Sequence, residues 1–362
     1  MLTLLHIVGA RPNFMKLAPV YLAARECPDI RQVVVHTGQH YDRNMSDRFF
    51  EDLGIPMPDE NLEVGSGTHA EQTANVMLRF EPVLDRYTPD WVVVYGDVNS
   101  TVACALVAVK KGVRVAHVEA GLRSRDRTMP EEINRLLTDQ IADLLLTPSM
   151  DGNANLLAEG IAPGKVVFVG NVMVDTLFRL LQPARELKMP ERLGLAGRPY
   201  AFVTLHRPSN VDHPETLRQL LSGLEWVGQR MPVLFAVHPR TRRRIEEFGF
   251  AGVAPSVKLL DPIGYLETVS LVDACRLVIT DSGGLQEETT ALGVPCLTVR
   301  PNTERPVTVT EGTNRLVEST TEALTGAVEE VLAAPRQAVG MGRPALWDGQ
   351  AGRRVVRALL RA

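Results

Sequence analysis

One rhythm limits what this chain can fold into. A short apolar run, a turn carrying glycine or a polar residue, and a stretch of helical spacing recur along most of its length. In the first half the apolar runs are residues 4–8, 32–36, 91–95, 113–118, 144–146 and 166–169, with helical segments such as 70–87, 99–111 and 131–142 between them. The stretch 176–198 is irregular and interrupted by Pro183, Pro190, Gly194 and Gly197. The rhythm then restarts with runs at 200–205, 233–237, 257–260, 277–279 and 296–299. Such alternation predicts doubly wound parallel α/β sheets, and 362 residues suffice for two of them. We expect a Rossmann-like N-terminal domain over 1–175, a linker at 176–198 and a Rossmann-like C-terminal domain over 199–345. The last helix, within 346–362, is expected to pack back on the first domain. The two domains are expected to face a cleft.

In sheets of this kind ligands sit at the carboxyl ends of the strands, and the chemistry-bearing residues fall there. Thr280-Asp281-Ser282-Gly283-Gly284 follows one apolar run and opens a helix. Two glycines let a ligand approach the backbone, and the free N–H groups and dipole of the helix start favour an anion. With the Ser282 hydroxyl this is a candidate phosphate cradle, although an ordinary capped helix would carry the same residues. Glu288, further along that helix, is placed to accept the hydroxyls of a ribose, and Arg305 adds a cation. Together they read as a nucleotide site.

In the first half, Arg11 and Lys16 bracket a strand–helix turn and suit an anion or plain solvation. Asp97 follows the 91–95 run, as a helix cap or as a site carboxylate. Glu119 follows a nearly all-apolar strand and precedes Ala-Gly, which argues for function. Glu131 and Arg135 share one helix face at ion-pair spacing. His206 follows the 200–205 run and is placed to act on a phosphate or as a base.

Composition excludes several classes. A net charge of −4 argues against a nucleic-acid partner. Cys27, Cys104, Cys275 and Cys296 are far apart, and no His/Cys cluster has ligand spacing, so no metal is expected. The glycine-rich turns do not follow G-x-G-x-x-G. No apolar run is long enough to span a bilayer, and the N-terminus lacks a basic lead and cleavage site. A cytoplasmic protein with no membrane partner is expected.

Taken in order, several motifs carry a resemblance. They are Gly9-Ala10-Arg11-Pro12 with Lys16, Thr37-Gly38-Gln39-His40, Tyr95-Gly96-Asp97, His117-Val118-Glu119-Ala120-Gly121-Leu122-Arg123 and Pro130-Glu131-Glu132 with Asn134-Arg135. Leu205-His206-Arg207, the 280–288 motif and Thr303-Glu304-Arg305-Pro306 complete the set. Each alone is weak. Jointly, over nearly all of the chain, they resemble the non-hydrolysing UDP-N-acetylglucosamine 2-epimerases. The resemblance implies a glycosyltransferase-B-like fold, a homodimer, a UDP-sugar substrate, a role in polysaccharide biosynthesis, and no cofactor. It implies inversion at carbon 2, giving UDP-N-acetylmannosamine, through elimination of UDP to a 2-acetamidoglucal and re-addition.

In the residues, Asp97, Glu119 and Glu131 match the family's essential carboxylates, and His206 matches a histidine near the diphosphate. Arg11, Lys16 and Arg135 fit the same electrostatic task. Ser282, Gly283 and Gly284 are implied to hold the phosphates, Glu288 the ribose and Arg305 the substrate end of the cleft. Gln39, His40, Arg207 and His238 match parts of a regulatory pocket that binds a second substrate molecule in some bacterial members. The chain departs from the pattern at Pro208-Ser209-Asn210, at Ile263 and Thr268, at Val307, and at Gly65-Ser66-Gly67-Thr68, where such members carry a basic residue. Alternatives are a 2-epimerase of a modified UDP-sugar such as a 2,3-diacetamido uronate, for which Arg123, Arg125 and Arg127 offer cations, a hydrolysing epimerase, and a glycosyltransferase.

Overall fold

The structure, a computed structural model, describes residues 1–38, 47–334 and 342–362. It divides into two compact units, Met1–Arg179 with Ala345–Ala362, and Leu180–Pro344. The sheet of the first unit contains β1 (Leu2–Val8), β2 (Ile30–His36), β3 (Glu60–Asn61), β4 (Trp91–Tyr95), β5 (Arg114–Val118), β6 (Leu144–Thr147) and β7 (Val166–Phe168). All neighbours are parallel, in the order β3-β2-β1-β4-β5-β6-β7. Strands buried on both faces read as unbroken apolar runs, and β4 is buried at every position. The order reverses between β1 and β4. At such a switch point the turns leave a crevice at the carboxyl edge.

The second unit repeats the scheme with β8 (Ala201–Thr204), β9 (Val233–Ala236), β10 (Val257–Leu260), β11 (Leu277–Thr280), β12 (Cys296–Val299) and β13 (Asn314–Val317). Their order is β10-β9-β8-β11-β12-β13, again all parallel, with the switch between β8 and β11. Val203, Phe235, Ile279 and Leu297 of these strands join Leu220, Leu224 and Leu324 of the helices in one buried core. Both units are the doubly wound α/β sheets expected.

Three local expectations change. Two edge strands, β3 and β13, have no counterpart among the expected runs. β3 is only Glu-Asn, and β13 begins Asn-Arg, so neither carries an apolar run. The stretch 176–198 is largely helical, with helix Val172–Glu186 followed by a short helix, Met189–Arg192. Pro183 lies in the last turn of the longer helix, where it forfeits one backbone bond and leaves the rest intact. Arg11 and Lys16 both lie inside the first helix, Arg11–Arg25, rather than bracketing the turn before it, because Pro12 suits a helix start.

The chain ends in helix Ala351–Arg361. A Cβ on Gly352 would strike the Pro19 carbonyl of helix Arg11–Arg25, so the glycine permits backbone-to-backbone packing of the two helices. Asp175 caps this last helix, accepting the Gly352 N–H at 2.8 Å. Its other oxygen is buried without a hydrogen bond. Burial therefore lifts the Asp175 carboxyl to about 6, against the pull of the Gly352 and Ala351 N–H groups. An acid whose pKa is raised on folding is favoured in its neutral form, so the stability it contributes is present at low pH and fades as pH rises through the folded value. Relative to Asp175→Asn, the wild type should lose up to about 3 kcal/mol between pH 4 and pH 7. Urea denaturation of both proteins across that range measures the difference, and parallel curves would contradict it.

Candidate active site

In the first unit the turn after β1 is fastened by Asn13. Its Oδ1 accepts the N–H groups of Gly9 and Ala10 at 3.2 and 2.9 Å, and its Nδ2 donates to the Tyr95 carbonyl at the end of β4, at 2.9 Å. One turn further along the same helix, Lys16 is buried, and its Nζ donates to Glu119 Oε1 at 2.8 Å. Glu119 is 4% exposed and has a φ of 72°. A left-handed backbone at a glutamate costs on the order of 1–3 kcal/mol and must be held by its surroundings. The N–H groups of Glu119 and Ala120 both donate to the Leu146 carbonyl, at 3.0 and 3.2 Å. Arg11 is half-buried, its guanidinium 5.1 Å from the centre of the Phe49 ring.

Asp97 does not cap the helix that follows it. That helix, Asn99–Lys110, has Val98 at its cap and no side-chain cap bond. The Asp97 carboxylate is instead paired with Arg135. Arg135 is fully buried, and its Nε and Nη2 donate to Glu132 Oε2 at 3.0 and 2.8 Å. Glu132 also accepts the N–H groups of Ser124 and Arg125, at 2.9 and 2.8 Å, and so anchors the loop before helix Pro130–Ile141. The ion pair expected between Glu131 and Arg135 is not formed. The guanidinium turns inward to Glu132 and Asp97, and Glu131 stays half-buried, in no ion pair among the described residues.

In the second unit, Asp281 follows β11 and is fully buried. It accepts the backbone N–H groups of His206 and Arg207 at 2.9 and 2.8 Å and the Asn210 amide at 3.1 Å. Burial works to raise its pKa, but His206 and these N–H groups hold it below the usual carboxylate range. His206 Nδ1 lies 2.8 Å from Asp281 Oδ1, while its side chain remains 43% exposed. Facing a carboxylate, Nδ1 carries the proton and Nε2 is turned outward.

Ser282 caps helix Gly283–Leu292 without a side-chain cap bond. A Cβ on Gly283 would come within 2.8 Å of both Arg305 Nη1 and Glu304 Oε1, whereas nothing lies within 4 Å of one on Gly284. Arg305, expected at the substrate end, is buried behind Gly283. It pairs with Glu304 at 2.5 Å and Glu287 at 2.9 Å. Burial opposes ionisation of Glu304, yet Arg305 and Arg300 hold its carboxyl far below the ordinary value. Glu288 is buried, which lifts its carboxyl to about 7, with the Tyr265 hydroxyl pulling the other way and Glu287 adding to the rise.

Of the residues matched to a regulatory pocket, Gln39 and His40 lie outside the described residues. The Arg207 Nε donates to the Asp281 carbonyl at 3.0 Å. The His238 ring is 5.8 Å from that of His206, and its Nδ1 accepts the Arg240 N–H at 3.2 Å at the start of helix Pro239–Glu247.

The partners Asn13, Glu132, Asp281, Glu287 and Glu304 were not among the expected site residues. Asp281 alone had a signal, as the first polar residue after a buried strand. Among the described residues no group of three or more His, Cys, Asp or Glu could hold a metal ion. None of their helices is long and apolar enough to cross a membrane.

Residues 22–360 match the family model for UDP-N-acetylglucosamine 2-epimerase. The chain is 43% identical over 361 residues to the UDP-N-acetylglucosamine 2-epimerase of Methanocaldococcus jannaschii, covering 98% of this chain and 97% of that one. It is 44% identical over 318 residues to the UDP-2,3-diacetamido-2,3-dideoxy-D-glucuronate 2-epimerase of Pseudomonas aeruginosa, covering 87% and 88%. The crystal structure of the M. jannaschii UDP-GlcNAc 2-epimerase in complex with UDP-GlcNAc and UDP matches with a TM-score of 0.89 at 42% identity, covering 100% of both chains. With a family match over most of its length, and relatives that share its fold throughout, this chain belongs to the UDP-N-acetylglucosamine 2-epimerase family.

Proposed function

We propose that the chain is an isomerase that interconverts UDP-N-acetylglucosamine and UDP-N-acetylmannosamine. The observation that carries this reading is the pair Asp97 and Glu119, each held by a buried cation at the carboxyl edge of the first sheet. The proton at carbon 2 of the sugar is too weakly acidic for simple abstraction. Its removal is coupled to breaking the bond from carbon 1 to the UDP oxygen. UDP departs with that electron pair, leaving a 2-acetamidoglucal. A proton then adds to the other face of carbon 2, and UDP re-adds at carbon 1. No electrons are gained or lost, so the balance requires no redox cofactor.

Asp97, Glu119 and Glu131 manage the proton at carbon 2. The second unit takes the nucleotide. The start of helix Gly283–Leu292 with Ser282, Gly283 and Gly284 receives the phosphates, Glu288 the ribose, and His206 Nε2 the departing diphosphate. Arg305 supports the turn from behind rather than reaching the sugar, and Arg11 and Arg135 balance charge in the first unit. The lack of a basic residue at 65–68 argues against activation by a second substrate molecule, so Arg207 and His238 are assigned to the frame of His206. A homodimer acting in the cytoplasm belongs to the same reading.

The P. aeruginosa relative favours a second reading, a 2,3-diacetamido uronate as substrate. That sugar needs an extra cation. Arg123 is engaged by Asp139 and Glu159, which leaves only the exposed Arg125 and Arg127 of that loop. A proton NMR time course with UDP-N-acetylglucosamine in deuterated water decides. UDP-N-acetylmannosamine with deuterium at carbon 2 and no free sugar is expected. Free N-acetylmannosamine would mean hydrolysis, and turnover of the uronate alone would move the reading to the second substrate.

Two variants probe the roles. Glu119→Gln should lower kcat by about 10²–10⁴-fold, with UDP affinity by calorimetry unchanged. Normal turnover would remove Glu119 from the chemistry. Asp281→Asn keeps the shape but removes the charge that fixes the His206 tautomer. Its kcat should fall by roughly 10–10²-fold, and a pH–rate profile that superposes on that of the wild type would show that Asp281 does not act through His206.

A further inference from the structure

β5 carries His117 into the core, where it is fully buried. Its Nε2 lies 2.8 Å from the Gly96 carbonyl oxygen and its Nδ1 2.7 Å from Asp139 Oδ1. A carbonyl only accepts, so Nε2 carries a proton. Burial works to raise the Asp139 carboxyl, but His117 and Arg123 hold it below the ordinary range, so it too accepts. Both ring nitrogens therefore face oxygens that can accept a hydrogen bond.

The chain of bonds continues. Asp139 Oδ2 accepts the Gly121 N–H at 3.1 Å and pairs with Arg123 at 2.7 Å. Arg123 pairs in turn with Glu159, through Nε at 2.8 Å and Nη2 at 2.6 Å. The Arg123 guanidinium thus bridges two acids, Asp139 and Glu159, and compensates their burial.

The ends of this chain fall at telling places. Gly96 immediately precedes Asp97, and Gly121 stands two residues after Glu119, whose backbone is left-handed. The two turns that present the carboxylates are tied to one charged frame that touches neither carboxylate. A network needed only for stability has no reason to terminate on these two turns.

We propose that the His117–Asp139–Arg123 chain is a positioning device that sets where Asp97 and Glu119 stand relative to each other. This rests on the epimerase reading above. Asp139 and His117 would then act as one unit, and their loss would show in the chemical step rather than in binding.

The test uses the full chain. In His117→Gln and Asp139→Asn, kcat should fall about a hundred-fold, since a displacement near 1 Å costs that much. KM and UDP affinity should stay within roughly two-fold. The double variant should be no worse than either single one. Glu159→Gln changes only the part-exposed end and leaves the core intact, so it should fold and lower kcat several-fold at unchanged KM. The wild type, without substrate, should show both His117 ring nitrogens protonated in a long-range ¹⁵N–¹H correlation spectrum.

Three results would overturn the proposal: a neutral His117, a kcat within two-fold of wild type in the variants, or UDP affinity falling in parallel with kcat. A wild type that fails to epimerise UDP-N-acetylglucosamine would instead overturn the substrate reading. The histidine spectrum keeps the two failures apart, because it reads the frame directly.

Discussion

A carboxylate is not kept out of water unless a cation or several N–H groups face it. The carboxyl edges of both sheets are built on that constraint. Lys16 faces Glu119, Arg135 faces Asp97 and Glu132, and Arg305 lies with Glu304 and Glu287. Asp281 is surrounded by N–H groups from His206, Arg207 and Asn210. Lys16–Glu119, Arg135–Asp97 and Arg305–Glu287 join separate elements, so the positions of these acids follow from the packing of strands and helices. Charges fixed in this way need little reorganisation when charge moves in a reaction, which is how an electrostatic site lowers a barrier. The left-handed Glu119 belongs to the same logic, because its strain persists only where the Leu146 carbonyl and Lys16 hold both its backbone and its side chain.

Much of this was legible in the sequence because parallel sheets leave a plain record. Buried strands are unbroken apolar runs, and the polar residue that ends each run marks the edge where ligands bind. Asp97, Glu119, His206 and Ser282 stand at that position, just after β4, β5, β8 and β11. What failed were features without such a record. β3 and β13 lie at sheet edges, where one side lacks a neighbour and apolar residues are not demanded. Helix Val172–Glu186 was obscured by a proline that a last turn tolerates.

Partners were harder still. Spacing suggested Glu131 with Arg135, because residues four apart share a helix face. Spacing could not show that Asp97, far away in sequence, would draw the guanidinium inward, with Glu132 three residues back sharing it. The same holds for Arg305. The family resemblance placed it at the substrate end, but Glu287 on the preceding helix and Glu304 beside it in the chain pair with it, and the pull of Glu287 is invisible along the chain. A sequence shows which residues reach the edge of a sheet more readily than which way they turn there.

The two units share a strand order, yet their switch points are finished differently. After β11, Ser282 leaves its hydroxyl out of the cap, and nothing lies within 4 Å of a Cβ on Gly284. After β1, the backbone donors of the turn are consumed. Asn13 accepts from Gly9 and Ala10, the Asn13 N–H goes to the Ala10 carbonyl at 2.9 Å, and Pro12 has no N–H to offer. A helix start whose amides are already satisfied is a poor phosphate cradle. Under the function proposed above, the first unit therefore offers its ligand side chains, Arg11, Lys16 and the carboxylates, where the second offers backbone. One asparagine and one proline, placed just after the first strand, take up the backbone donors of that turn.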